Sequence, residues 1–441
     1  MNTGRFCQRS DWNWRCTKDG YKTRALIDWL RDIPDPRSRK NRKHVLEEVF
    51  VCVIMGFLHG KVKLRRIHRW ARDHLDKLRQ YMEFPNGVPS VPTMSRVLAS
   101  VDEELLSLSL INWIGEIINT RGTHIAVDGK ALRAAASKIR NQKSPYIINV
   151  IEAATKVVIG QMAIPEKTNE MKSIPELLEF LEVEDSVITV DAIGATGNIM
   201  NAIIGRGADF MLQVKRNCPE LYDEIQRLFN GLDADRKEDP DLFEQRYGEK
   251  YSEKKTEEKN RERMEYRRCE AYNDPDVLSG LQEKRPYIQC IGRSTQIRIL
   301  QVRDERGKDI TPGWKEFLKS GSRRQPRPAT GDSFSDDVQI AGLISSRKMN
   351  AEKMMKYKRE HWKIENSLHY VLDETFGEDK STIRNGRNVA SMLRKTAYNI
   401  VRLVQLMDPQ KSPLVPEIID DISADFSLGA RMIFEPLKSF Y

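Results

Sequence analysis

The sequence predicts an α/β protein in which a helical N-terminal segment precedes a mixed sheet with helices on both faces. Residues 24–119 carry apolar positions at helical spacing, and from His124 short runs rich in Ile and Val take over. After three such runs, further runs alternate with helical stretches, the pattern of parallel crossovers. At 441 residues the chain exceeds what one hydrophobic core usually serves, so two or three domains are expected.

The first helix is expected near Leu26 to Arg31, followed by a turn at IPDPR (33–37). A buried helix follows over 45–58, because the apolar run VFVCVIMGFL is far shorter than the roughly 20 residues that cross a bilayer. A basic helix over 63–81 comes next. After the turn PNGVPSVP, Thr93 or Ser95 is the expected cap of a further helix, and another spans 103–118.

Strands are expected at 124–128, 146–152, 156–163, 186–191 and 208–214, with helices at 173–182 and 196–205. The order βββαβαβ implies an antiparallel meander joined to parallel strands. Residues 232–268 have almost no aliphatic side chains, so they read as an insertion or a mobile arm. Strand-like runs return at 267–272, 286–303 and 338–346, around a Pro/Arg/Ser-rich loop at 320–336. Asn350 can cap a long final helix, and Gly377 can end it.

Composition narrows the function classes. The first 20 residues show no apolar segment after their charges, so neither a secretory signal nor a membrane anchor is expected, and a cytoplasmic address follows. Six cysteines without a CxxC pair argue against a disulfide framework or a zinc knuckle, with only Cys7 and Cys16 spaced to leave a metal open.

The net charge of +9 is uneven: residues 1–100 hold 21 Lys and Arg against 10 Asp and Glu, and the rest of the chain sums to −2. The densest pieces are PRSRKNRKH, with Arg37, Arg39, Lys40, Arg42 and Lys43, and a helix with Arg65, Arg66, Arg69 and Arg72 opposite Leu64, Ile67, Trp70 and Ala71. A cationic helix face is either merely solvated or a footprint for a polyanion such as DNA. Two basic segments in one region favour the second reading.

Two strands end in an aspartate: HIAVDGKAL at Asp128 and VITVDAIG at Asp191. Either alone reads as a turn residue, but the carboxyl ends of neighbouring strands are where α/β sheets bind ligands. The helix KREHWKIENSLHYVLDETFGED offers a third carboxylate. At 100° per residue, Met354, His361, Trp362, Leu368, Leu372 and Phe376 fall within roughly 60° of Glu365, which places Glu365 on the apolar stripe. Glu360 and Glu374 point away, Asp373 sits at the margin, and Glu378 and Asp379 follow Gly377. A carboxylate on such a stripe is either salt-bridged, with His361 and His369 one turn away, or bound to a metal. Hard oxygen ligands select Mg²⁺ or Mn²⁺, and two such ions promote in-line displacement at a phosphodiester.

On the residues IPDPRSRKNRKH, WARDHLDKLR, PSVPTMSRVL, VDGKALR, EKTNEMKSIPELLE, TVDAIGATGNI, DFMLQVKRNCPEL, REHWKIENSLHYVLDETFGED and LRKTAYNIVRL, the chain resembles bacterial insertion-sequence DDE transposases of the H-repeat-associated type. The resemblance implies a ribonuclease-H-like catalytic core with a β-rich insertion between the second Asp and the Glu. It implies Asp128, Asp191 and Glu365 as the catalytic, metal-holding triad, with His361, Asn366 and His369 immediately behind it. Lys130, Lys215, Arg267 and Arg268 join the N-terminal cations as expected DNA contacts. The departures are Arg261-Glu262 where the family has HG, and Leu372-Asp373-Glu374 where it has LDV.

The expected divisions are an extension at 1–23, a helical DNA-binding domain at 24–120, the core at 121–214 and 336–408, an insertion at 215–335 and a C-terminal tail at 409–441. The activity implied is cleavage at the ends of an insertion sequence and strand transfer, with two Mg²⁺ or Mn²⁺ ions and no small-molecule cofactor. The partners implied are element ends and target DNA, with at least two protomers on DNA and no membrane. The alternatives are a domesticated nuclease that cleaves without joining and a DNA-binding regulator with structural carboxylates. Glu360→Gln or Glu374→Gln is expected to leave DNA cleavage nearly intact while Glu365→Gln abolishes it; a gel assay of metal-dependent nicking distinguishes the two patterns.

Overall fold

The computed structural model describes residues 23–38, 40, 42–132, 146–165, 170–191, 195–260, 263–300, 306, 337–408 and 414–438. The expectations for residues 1–22, for Arg39, for Arg261-Glu262 and for the loop at 320–336 lie outside these.

The N-terminal helices are α1 (Leu26–Arg31), α2 (Leu46–Leu58), α3 (Leu64–Asp73), α4 (Leu75–Leu78), α5 (Val91–Ser100) and α6 (Glu103–Gly115). Nearly all of α2 is buried. Helix α3 buries Leu64, Ile67, Trp70 and Ala71 and exposes Arg65, Arg66, Arg69 and Arg72, as its pattern requires. The single basic helix expected over 63–81 instead breaks at His74, whose Nδ1 lies 2.9 Å from the Trp70 carbonyl oxygen. The cap of α5 is Ser90, not Thr93 or Ser95: its hydroxyl accepts from the Thr93 amide, and Pro92 fits the first turn, where no backbone donor is needed.

The core begins with β1 (His124–Ala131), β2 (Tyr146–Glu152) and β3 (Val158–Ile164), an antiparallel meander. Helix α7 (Glu170–Leu178), β4 (Val187–Val190), α8 (Gly197–Gly205) and β5 (Asp209–Val214) follow, with β1, β4 and β5 parallel. The spatial order β3-β2-β1-β4-β5 with this mixture of directions is the ribonuclease-H arrangement.

The described residues within 232–268 form helices and strands, not a mobile arm. The chain runs through α9 (Pro219–Glu238), α10 (Pro240–Tyr247), β6 (Tyr251–Asn260), β7 (Arg263–Tyr272), α11 (Pro275–Lys284), β8 (Cys290–Leu300) and β9 (Asp337–Ser345). These strands extend the sheet as β5-β9-β8-β7-β6, giving nine strands among the described residues. Ion pairs replace the missing aliphatics. Arg293 binds Glu270 and Asp233, Arg268 binds Glu253, Asp233 and Glu270, and the Phe243 and Tyr251 rings meet edge-on at 5.3 Å. Strand β6 forms the outer edge, and its dense mixture of Glu and Lys discourages pairing with another chain.

Helix α12 (Ala351–Ile364) covers one sheet face through Ala351, Met354 and Met355 over Val187, Met211 and Leu343. Helices α7, α8 and α9 share the core with Ile188, Phe210, Leu212 and Ile344, which alternate to the other face. Asn350 caps α12 by accepting from the Lys353 amide. The helix continues through a π turn (Glu365–His369) into α13 (Tyr370–Glu374), and Gly377 takes φ 59° where the chain turns away.

Helix α14 (Arg387–Met407) packs on α2, and the stretch expected as a tail contains α15 (Val415–Ala424) and α16 (Phe426–Phe434). Helix α16 packs on α1 and α2, so the first and last described helices share one core.

Gly386 caps α14 with φ 66°, and a Cβ there would lie 2.3 Å from the Leu98 carbonyl carbon. Gly386→Ala is therefore expected to lower unfolding stability by about 1–3 kcal/mol in urea titrations. A change below about 0.5 kcal/mol, the range of neutral surface substitutions, would contradict that close approach.

Candidate active site

The parallel pairing of β1 with β4 sets Val127 opposite Val190, so the next residues, Asp128 and Asp191, fall side by side where β4 ends. Strand β1 does not end at Asp128 as its sequence suggested: it runs on to Ala131, with Asp128 paired to Asn149 of β2, because β2 continues the antiparallel ladder past the end of β4. Helix α12 crosses the same end. In the π turn the Tyr370 amide reaches back five residues to the Glu365 carbonyl, which widens the helix between Glu365 and His369. The His369 Nδ1 lies 3.0 Å from Glu365 Oε2 and 3.5 Å from Asp128 Oδ2. Ligand atoms of Asp128, Glu365 and His369 all lie within 4.8 Å of one another.

Glu365 departs from the helical-wheel expectation. Its side chain is 71% exposed: the π turn that begins at this residue breaks the 3.6-residue phase by which the wheel set Glu365 on one stripe with Leu368, Leu372 and Phe376. Trp362, also assigned to the stripe, is 46% exposed, whereas Leu368 and Leu372 are buried as expected.

The crowding of like charge is visible in Asp128. Burial raises its pKa, His369 and the Gly129 amide oppose the rise, and the charges of Asp191 and Glu365 add to it. Lys215 lies 4.0 Å from Asp191, close enough to offset part of this repulsion. His361, behind the site, bonds through Nδ1 to the Thr189 hydroxyl at 3.0 Å. Burial pushes the His361 ring down to about 4, against the pull of Asp191, so the ring is neutral at pH 7. Asn366 is exposed, and no hydrogen bond among the described residues ties it to the carboxylates.

Other expected site residues sort by what holds them. Arg65, Arg66, Arg69, Arg72, Lys40 and Lys43 are exposed. Arg37 and Arg42 instead close a loop around Asp35, at 2.6 Å and 3.1 Å. Arg267 pairs with Glu258 and Glu265, and Arg268 is drawn inward by Glu253, Asp233 and Glu270. Lys130 turns inside as well, to Asp373 at 2.5 Å and Glu378 at 3.3 Å.

The other carboxylates of residues 358–379 also separate. Glu374 is exposed and pairs with Lys380. Glu360, expected to face solvent, is only 23% exposed and lies 2.9 Å from His124 Nδ1. Glu378 is buried, where it accepts from Ser391 at 2.6 Å. Burial pushes its carboxyl up, but Lys395, Arg394 and Lys130 outweigh that and bring it down to about 2. His124 and Thr189 were not singled out by sequence, although His124 shares β1 with Asp128 and Thr189 lies on β4, just before Asp191.

A ribonuclease-H sheet with aspartates side by side on β1 and just after β4, and a glutamate from the crossing helix, defines a DDE-type domain. The chain belongs to the transposase DDE domain family, whose profile matches residues 119–400, and a DDE_Tnp_1-associated profile matches residues 27–114. Membership implies use of a divalent metal and DNA as a partner. The chain is 28% identical over 381 residues to "Putative transposase YncI" of Escherichia coli O157:H7, covering 86% of this chain and 87% of that protein. It is 28% identical over 382 residues to "H repeat-associated putative transposase YhhI" of Escherichia coli K12, covering 86% and 90%. A piggyBac transposase synaptic complex with hairpin DNA aligns at TM-score 0.39 and 10% identity, over 92% of this chain and 78% of that one, too distant to bear on this chain's chemistry. No described helix is long and apolar enough to cross a membrane.

Removing Glu378 would strand Lys130, Arg394 and Lys395 without their shared anion. Glu378→Gln is expected to lower stability at pH 7 by about 3–5 kcal/mol in urea melts, the scale of a broken buried pair. The folded carboxyl titrates near 2 against 4.5 when unfolded, so its contribution is full above pH 4.5 and fades as pH falls toward 2. The gap between wild type and variant should therefore shrink between pH 7 and pH 3, and a constant gap would contradict the charge assignment.

Proposed function

We propose that this chain is a metal-dependent transposase that cuts DNA at the ends of its own insertion sequence and joins the freed 3′ ends to target DNA. The observation that carries the reading is the convergence of Asp128, Glu365 and His369, with Asp191 beside Asp128 by strand register, in a chain of the transposase DDE family. The donor set fits a divalent cation: carboxylate oxygens suit Mg²⁺ or Mn²⁺, and a cation would relieve the repulsion among Asp128, Asp191 and Glu365. Asp128, Asp191 and Glu365 would hold two such ions. When bound, the ions would activate the attacking hydroxyl or water and stabilise the leaving oxygen.

The chain's own residues do the rest. His369 orients Glu365 and Asp128 through Nδ1, and Lys215 is placed to neutralise a phosphate approaching Asp191. DNA binding falls to residues 24–120, through the exposed cations of α3 and of the loop before α2. Two element ends held together require two protomers or more.

The test is to incubate purified protein with DNA carrying the inverted repeats that flank its gene, with Mg²⁺ or Ca²⁺, beside Asp128→Asn and Glu365→Gln. The expected result is Mg²⁺-dependent cleavage and joining by wild type, and loss of both in the variants by at least about 10³-fold, since a metal-holding carboxylate is removed. Cleavage without joining would reduce the reading to a nuclease. Binding with no metal-dependent product would remove it.

A second expectation concerns the basic face. Replacing Arg65, Arg66, Arg69 and Arg72 by Ala should weaken binding across sequences and lower the slope of log affinity against log salt by up to about 0.9 for each phosphate no longer neutralised. Fluorescence anisotropy at several salt concentrations reads that slope, and an unchanged slope would move the DNA footprint elsewhere.

A further inference from the structure

One chain of side-chain hydrogen bonds joins the three elements that carry Asp128, Asp191 and Glu365. Glu360 Oε2 lies 2.9 Å from His124 Nδ1, and His124 Nε2 lies 2.9 Å from the Thr189 hydroxyl. The same hydroxyl lies 3.0 Å from His361 Nδ1. His124 precedes Asp128 on β1, Thr189 precedes Asp191 beyond β4, and Glu360 and His361 lie about one turn before Glu365. The links are sheltered: His124 and Thr189 are buried, and Tyr357 meets the His124 ring edge-on at 4.7 Å.

The chain has a direction. Glu360 is held in its ionised form, first by the hydrogen bond from His124, so its oxygen accepts and His124 Nδ1 donates. With one ring proton on His124, Nε2 at 2.9 Å is a closer acceptor for the Thr189 proton than the Ile125 carbonyl at 3.5 Å, and the Thr189 oxygen then accepts from His361 Nδ1–H. His361 is thereby left with an unprotonated Nε2.

We propose that Glu360, His124 and Thr189 are positioning residues acting through His361: they set its Nδ1–H tautomer and lock α12 in register with β1 and β4, so that Glu365 stays beside Asp128 and Asp191. The tautomer rests on the hydrogen-bond geometry with His124 carrying one ring proton, whereas the consequence for DNA cleavage rests on the function proposed above. Side chains that orient metal-holding groups in this way are worth roughly 10–100-fold in metal affinity or activity.

The experiment uses full-length protein labelled with ¹⁵N-histidine, with the His361 resonances assigned by their loss in His361→Gln. Wild type is expected to show His361 protonated at Nδ1 and bare at Nε2. Thr189→Val removes the acceptor of that proton and should convert the His361 signals to the other tautomer or to an exchanging mixture. In single-turnover cleavage of end DNA, Thr189→Val and Glu360→Ala are expected to fall roughly 10–100-fold with DNA affinity within about twofold, whereas Glu360→Gln, which keeps a carbonyl acceptor, restores most of the rate.

A wild-type His361 carrying its proton on Nε2 would overturn the proposal, as would unchanged spectra and rates in both Thr189→Val and Glu360→Ala. Thr189→Ser keeps the hydroxyl and should behave as wild type, so a loss common to Ser and Val would mean packing rather than hydrogen bonding and would also overturn it. If wild type cuts no DNA, the function fails while the His361 spectra still decide the chain.

Discussion

Parallel pairing of β1 with β4 is the constraint on which the rest of the structure depends. It brings Asp128 and Asp191 together regardless of their mutual repulsion, because Ile125, Ala126, Val127, Ile188 and Val190 are buried and cannot slip by one residue without facing the wrong side. Charge is then managed locally. Asp191 stays about half exposed beside Lys215, and Glu365 stands in solvent on its π turn. His369 alone is buried among them, with its Nδ1 turned toward two carboxylates.

The catalytic-helix candidate is fixed at both ends by different physics. At its start, Asn350 caps α12, and methionines pack on the sheet. Past its end, Glu378 is sealed among Lys130, Arg394 and Lys395, and Arg394 also stacks over Phe57 of α2 at 4.6 Å. Gly377 passes close to Val62, and Gly386 lies against Leu98. The helix bearing Glu365 is therefore tied directly to the helices that bear the basic face, and both belong to one packed body.

Cations that look alike along the chain divide into two kinds. Those of α3 keep their charge in solvent, where it can act at a distance. Arg268, Arg293 and Lys130 direct theirs to internal carboxylates, and so build the aliphatic-poor insertion and the helix end. An isolated surface pair contributes little, but buried arginines shared among several acids hold strands that have few apolar side chains to bury.

Much was legible without coordinates. The βββαβαβ order, the aspartate that follows β4, the Asn350 cap and the amphipathic α3 each follow from local spacing, because adjacent residues and one strand or helix period suffice to specify them; the continuation of β1 past Asp128 does not. The motif around Glu365 also pointed to the residue that meets Asp128. Tertiary structure alone decided the π turn that begins at Glu365, which breaks the single 3.6-residue phase that a helical wheel assumes. It alone decided that residues 251–260 form an edge strand, that the C-terminal helices join the N-terminal core, and that Glu360 reaches His124 across 236 positions of sequence. Contacts of that kind depend on which face meets which neighbour, and periodicity specifies a face without naming the residue that will oppose it.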